Sequence, residues 1–121
     1  MKRYTREHQW IELDGETATI GITAFAAEEL GELSYVELPA VGKTIAGGDP
    51  LCVVESVKAA SDVFMPVTGT IREVNAQLEA HPELVNDSPE GDGWLCRATG
   101  VKPADLDALM DLDAYRQFIQ P

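Results

Sequence analysis

The sequence predicts a mainly β domain, a sandwich or barrel of short strands with one short helix in its N-terminal half and helices at its C-terminal end. Three observations carry that prediction. Short alternating or β-branched runs recur up to Gly100, each bounded by Gly, Pro or Asp-Gly turn signals. Runs of helix formers occur only near 24–30 and after Pro103. The chain has 121 residues, 45% of them apolar, which is enough for one hydrophobic core.

Each element follows from its own stretch. IELD (11–14) and TATIGI (17–22) read as strands, with Asp14-Gly15 as the hairpin turn between them. Thr23 caps a short helix over AFAAEEL, and Gly31 ends it. LSYVEL (33–38) alternates again, setting Leu33, Tyr35 and Glu37 on one side and Ser34, Val36 and Leu38 on the other. From 43 to 75 the runs KTI, LCVVESV, DVFM and TIREV read as strands joined by glycine- and proline-bearing turns. Residues 76–92 read as an acidic surface loop with one helical turn at QLEA, because acids, prolines and glycines gather there without any Lys or Arg. WLCRATG (94–100) is the final strand. Pro103 then opens ADLDALM, with Leu106, Leu109 and Met110 on one face. Asp111 caps LDAYRQFI, with Leu112, Tyr115, Phe118 and Ile119 on one face, and both faces are expected in the core. Residues 1–121 are therefore expected to form a single domain, with a core hairpin within 45–75, an acidic loop over 76–92 and helices within 103–119.

Composition removes several functions. Nine Lys+Arg against 21 Asp+Glu give a net charge of −12, which repels phosphate backbones and excludes a general nucleic-acid binder. No run is long and apolar enough to span a membrane, and MKRYTREHQW lacks the apolar stretch of a signal peptide, so a cytoplasmic protein is expected. Cys52 and Cys96 form no CxxC pair and sit in apolar runs, where a cysteine serves as a small buried hydrophobe. The sequence contains no GxSxG, HExxH, Walker or dinucleotide-binding motif.

The informative stretch is IAGGDPLCVVESVKAASDVFMPVTGTI (45–71). Gly47 and Gly69 lie equally far before and after Lys58, with one strand-like run on each side. Pairing those runs antiparallel places the turn at Lys58-Ala59-Ala60 and lifts one amine to a hairpin tip with small neighbours. The spacing alone leaves two readings open: a lysine modified to carry a group, and a solvated surface charge.

ESVKAASDVFMPVTG resembles the lipoyl-attachment motif of the glycine cleavage system H-protein family. YTREHQW, ATIGIT, LGELSYVELP, VNDSPEGDGW and the closing DLDALMDLDAYRQFI resemble the other blocks of that family in the same order, so the likeness spans residues 4–119. It implies a barrel-sandwich hybrid with a lipoyl-domain-like core. It also implies lipoate joined by an amide to Lys58, within the motif Glu55, Ser56, Val57 and Ala59. The implied role is a non-catalytic carrier that takes the aminomethyl group of glycine from a pyridoxal-phosphate decarboxylase to a tetrahydrofolate-dependent aminomethyltransferase. A dihydrolipoyl dehydrogenase then reoxidises the arm, lipoyl- or octanoyl-transferring enzymes install it, and the carrier is expected to be a monomer.

The resemblance also marks departures. The family block HEW, whose glutamate helps hold the amine of the cargo in a cleft, reads here as His8-Gln9-Trp10. A family acid at the start of the first helix is Ala24, whereas the acid four residues after the lysine is retained as Asp62. Asp62, Gln9 and His8 are thus the candidates for docking the arm. A related role stays open, an H-like relay that donates lipoyl groups to other lipoyl-dependent enzymes. A biotin carrier would place methionines beside its lysine, and a lipoyl domain of a 2-oxoacid dehydrogenase would show a DKA-like tip. Val57 and Ala59 are not methionines, which argues against biotin, and Val57 stands where a DKA-like tip has its Asp.

Overall fold

A computed structural model describes residues 1–120 of the chain. Strands β1 (Lys2–Tyr4), β2 (Gln9–Asp14) and β3 (Thr17–Ile22) form an antiparallel meander. Helix α1 (Ala24–Leu30) follows, with the Thr23 hydroxyl accepting from Ala26 N at 3.2 Å. Gly31 ends it at φ 77, a left-handed value that glycine reaches without a Cβ clash. Next come β4 (Leu33–Glu37), β5 (Thr44–Ile45), β6 (Pro50–Ser56), β7 (Ala60–Phe64) and β8 (Gly69–Val74). Two single-turn helices, α2 (Gln77–Ala80) and α3 (Leu84–Asp87), precede β9 (Cys96–Thr99). The chain closes with α4 (Pro103–Leu106) and α5 (Leu112–Ile119).

The strands make two open sheets, one ordered β1-β2-β3-β9-β8-β5 and a smaller one ordered β4-β6-β7. One apolar cluster joins them, with Ile11, Ile20, Ile71 and Ala98 from the larger sheet and Val36, Val54 and Val63 from the smaller. Tyr4, Trp10 and Tyr115 form a second, aromatic cluster that fastens α5 to the N-terminal strands. The mainly β class with a short early helix and late helices is as the sequence predicts.

Several details differ, each for a physical reason. β1 was not expected, because KRY is polar; it forms by pairing with β2 and by the Tyr4–Met110 bridge. In β4 the register shifts between Leu33 and Tyr35, so Leu33 and Val36 are buried together and Tyr35 is half exposed, contrary to the predicted alternation. The 76–92 segment is no plain surface loop. Beyond the turn at QLEA it holds α3, and Leu78 and Val85 are fully buried. Asn75 closes its base, donating to Asp92 O at 2.8 Å and Trp94 O at 2.9 Å. The first C-terminal helix stops at Leu106, leaving Leu109 and Met110 outside it, and on α5 only Tyr115 is buried while Leu112 and Phe118 stay exposed. Gly47 and Gly69 serve close approach rather than a left-handed turn. A Cβ on Gly47 would lie 3.0 Å from Val67 Cα, and one on Gly69 would lie 3.0 Å from Val101 Cγ2 and 3.3 Å from Thr99 O.

Candidate functional site

Strands β6 and β7 pair from Pro50↔Phe64 to Glu55↔Ala60. Ser56 N donates to Ala59 O at 2.8 Å, which leaves Val57 and Lys58 as the two tip residues. The turn thus lies one residue earlier than the spacing predicts. Ser56 organises it, its Oγ accepting from Lys58 N at 3.2 Å and from Ala59 N at 3.3 Å, so the small polar residue fixes the backbone of a loop too short to pack. Val57 is 89% exposed, and Lys58 is exposed beside it. The Lys58 amine lies over the end of α1, since a Cβ on Gly31 would sit 3.9 Å from Lys58 Nζ. Among the described residues Lys58 makes no ion pair.

The end of α1 is itself held in place from a distance. Asn86, on α3, accepts from Leu33 N at 2.8 Å and donates to Gly31 O at 2.8 Å. One side chain therefore serves both backbone groups where α1 gives way to β4.

A cleft of about 270 Å³ opens between α1, the 7–9 segment and the β6–β7 hairpin, and His8, Gln9, Phe25, Leu30, Asp62 and Val63 contribute to its wall. The three docking candidates are thus brought to one cleft. They differ in how free they are. Asp62 is exposed on β7. Gln9 is only 2% exposed and its amide is engaged, with Oε1 accepting from Thr5 Oγ1 at 2.6 Å and Nε2 donating to Glu7 O at 2.9 Å. His8 is the one non-glycine residue at positive φ among those described, at 70°, and its Nδ1 lies 2.8 Å from the Tyr115 hydroxyl. Ala24 contributes nothing to this wall.

Two further acids, Glu7 and Glu29, reach the cleft unannounced by the sequence reading. Helical spacing held a signal for Glu29, which shares a face with Phe25 and follows it by one turn. The apolar spacing of the last helix marks Tyr115 only as a core residue, yet its hydroxyl joins His8 to Thr23 Oγ1, 2.7 Å away. Burial pushes its phenol up, so it is a hydroxyl and not a phenolate at neutral pH.

The remaining chemistry is sparse. Both cysteines are unpaired and buried, and burial pushes the Cys96 thiol up to about 12 and that of Cys52 up as well. No group of His, Cys, Asp and Glu among the described residues is placed to hold a metal ion. No described helix is long and apolar enough to cross a membrane. A second depression, of about 280 Å³, lies between Tyr4–Glu7 and Ala108–Met110 and contains none of the docking candidates.

Known proteins resemble the chain over nearly its whole length. The family described as "Glycine cleavage H-protein" matches residues 2–121. A glycine cleavage system H protein of Phenylobacterium zucineum is 53% identical over 117 residues, covering 97% of each chain. One from Thermotoga maritima is 45% identical over 118 residues, covering 98% of this chain and 95% of its own. The crystal structure of such a protein from Mycobacterium marinum superposes with a TM-score of 0.85 at 35% identity, covering 96% of this chain and 94% of that one.

Proposed function

The chain belongs to the glycine cleavage H-protein family, and on that footing we propose that Lys58 is the point of attachment of its lipoyl group. The chain is a lipoyl-bearing carrier of the glycine cleavage system. When bound, the lipoyl dithiolane supplies a disulfide that takes up the aminomethyl group of glycine together with two electrons. The observation that carries the assignment to Lys58 is its amine: exposed, unpaired among the described residues, and on a two-residue loop that Ser56 organises. Such an amine is open to acylation by a transferring enzyme, and the turn beneath it does not depend on the amine.

The residues fit the group in a second respect. The cleft beside the hairpin has apolar walls in Phe25, Leu30 and Val63 for a hydrocarbon arm, and a carboxylate in Asp62 for a cationic cargo. Asp62 holds the ammonium, His8 and Gln9 shape the wall, and water is kept from the N–C–S unit. The chain itself catalyses nothing; residues 1–121 work as one carrier, a cytoplasmic monomer. The decarboxylase, the aminomethyltransferase, the dihydrolipoyl dehydrogenase and the lipoyl-transferring enzymes each visit the same tip. A net charge of −12 favours rapid encounter with basic rims on those enzymes without demanding tight binding.

Intact mass followed by peptide mapping tests the assignment. We expect a lipoyl amide on the peptide holding Lys58 and none on Lys58→Arg. That variant should lose glycine cleavage in a reconstituted system while its unfolding free energy changes by less than about 0.5 kcal/mol. Full activity in Lys58→Arg would overturn the assignment.

A further inference from the structure

The bond between Tyr115 and His8 has a direction that the heavy-atom positions settle. Thr23 is 1% exposed, and its Oγ1 already accepts from Ala26 N at 3.2 Å. Its own hydroxyl proton has one acceptor among the described residues, the Tyr115 oxygen at 2.7 Å. Were Tyr115 to donate to Thr23 instead, that buried proton would be left without a partner. The order is therefore Thr23 Oγ1–H to Tyr115, and Tyr115 O–H to His8 Nδ1. A neutral imidazole that accepts at Nδ1 carries its proton on Nε2.

Nε2 has no partner among the described residues, and no buried polar atom lacks one, so Nε2 reaches solvent. The ring is held between Phe25, with centroids 4.7 Å apart, and Phe118, at 5.9 Å, and it lines the cleft that also contains Asp62. We infer that Tyr115 is a positioning residue that, through His8, sets a fixed N–H donor in the wall of the cleft. An N–H donor cannot serve an ammonium, which has only protons to offer. Asp62 serves that end, and His8 serves an acceptor. Under the docking reading given above, on which this inference rests, the acceptor is a sulfur of the reduced arm.

The test is nitrogen NMR of the His8 ring in the full-length chain at about pH 8, where an ordinary imidazole is neutral. In the unmodified protein we expect the proton on Nε2. The tautomer ratio should fall about fivefold in Tyr115→Phe, which keeps the ring stacked on Tyr4 but removes one hydrogen bond. Thr23→Ser, which keeps the hydroxyl, should preserve the ratio. In the lipoylated protein, reducing the dithiolane to the dithiol with an added thiol reductant should shift the Nε2–H signal. A proton on Nδ1, or a ratio that Tyr115→Phe leaves unchanged, overturns the positioning role. A fixed tautomer whose Nε2–H ignores reduction overturns the assignment to sulfur, even where Asp62→Asn still speeds loss of the cargo, so the two readings fail separately.

Discussion

Replacing Asn86 by Ala should destabilise the protein out of proportion to the size of the change. The side chain makes two good bonds, from Leu33 N at 2.8 Å and to Gly31 O at 2.8 Å, and a longer one to Ala27 O at 3.4 Å. Each of the two short bonds is worth about 1 kcal/mol net, and a buried N–H left without a partner costs about 1–3 kcal/mol more. Leu33 is 2% exposed, so water cannot readily replace the lost acceptor. We expect a loss of about 3–5 kcal/mol in total. In urea, with a slope of about 2 kcal/mol per molar for a small domain, the midpoint should fall by about 1.5–2.5 M without a change in slope. Asn86→Asp separates the parts. It keeps an acceptor for Leu33 N but sets a carboxylate oxygen against the Gly31 carbonyl, so it should be no more stable than the alanine variant. Far-ultraviolet circular dichroism and urea titration of the three proteins decide the matter. A loss below about 0.5 kcal/mol for Asn86→Ala would refute the clamp and leave the end of α1 held by packing alone.

Other outcomes follow from the same geometry. Gly69→Val should cost about 1–3 kcal/mol by overpacking against Val101 and Thr99 O, and calorimetry would show it as a lower Tm. Asp62→Asn should speed spontaneous release of ammonia from isolated, cargo-loaded protein several-fold, because a charged acceptor is about twice as strong as a neutral one; an unchanged half-life would remove Asp62 from the docking role. Gln9→Glu should slow that release, yet at a cost in stability of about 1–3 kcal/mol, since a carboxylate oxygen replaces the Nε2 that now donates to Glu7 O at 2.9 Å. Burial raises the folded-state pKa of Cys96 from 9.0 to about 12, so the stability it adds is fully present below pH 9 and lost as pH climbs towards 12. Alkylation of both thiols at mildly alkaline pH should therefore track unfolding, and rapid labelling of the native protein would contradict the burial.

Where the sequence was legible, the deciding interactions were local. The Thr23 cap, the Gly31 stop and the antiparallel runs around Lys58 each rest on neighbours a few residues away, and residue type alone marks them. Where it was not, the partner lay far along the chain. β1 forms because Glu12, Ile11 and Trp10 stand opposite it. α3 forms where Val85 finds the core and Asn86 finds Gly31 and Leu33, and nothing in an acidic, proline-bounded stretch announces either contact. The site divides the same way. Lys58 and Asp62 belong to one hairpin and could be read together, whereas Tyr115 meets His8 across 107 positions. Pattern placed Tyr115 on an apolar helix face and could not say that its hydroxyl had work to do.

The position of β9 has a consequence for how the chain reaches its native state. It lies between β3 and β8, so the larger sheet stays in two pieces until the segment at 96–99 is made and threaded between them. Until then β3 and β8 each present an unpaired edge, the condition under which strands recruit one another between molecules. The hairpin bearing Lys58 escapes this wait, because the pairing of β6 with β7 falls within residues 50–64 and that of β6 with β4 needs only residues from 33 onward. Its closure is a matter of a short loop, while closure of the sheet spans most of the chain and sets the pace. The tip can therefore be complete on a chain whose core is still open, and the slow step of biogenesis and the surface proposed for modification belong to different parts of the molecule.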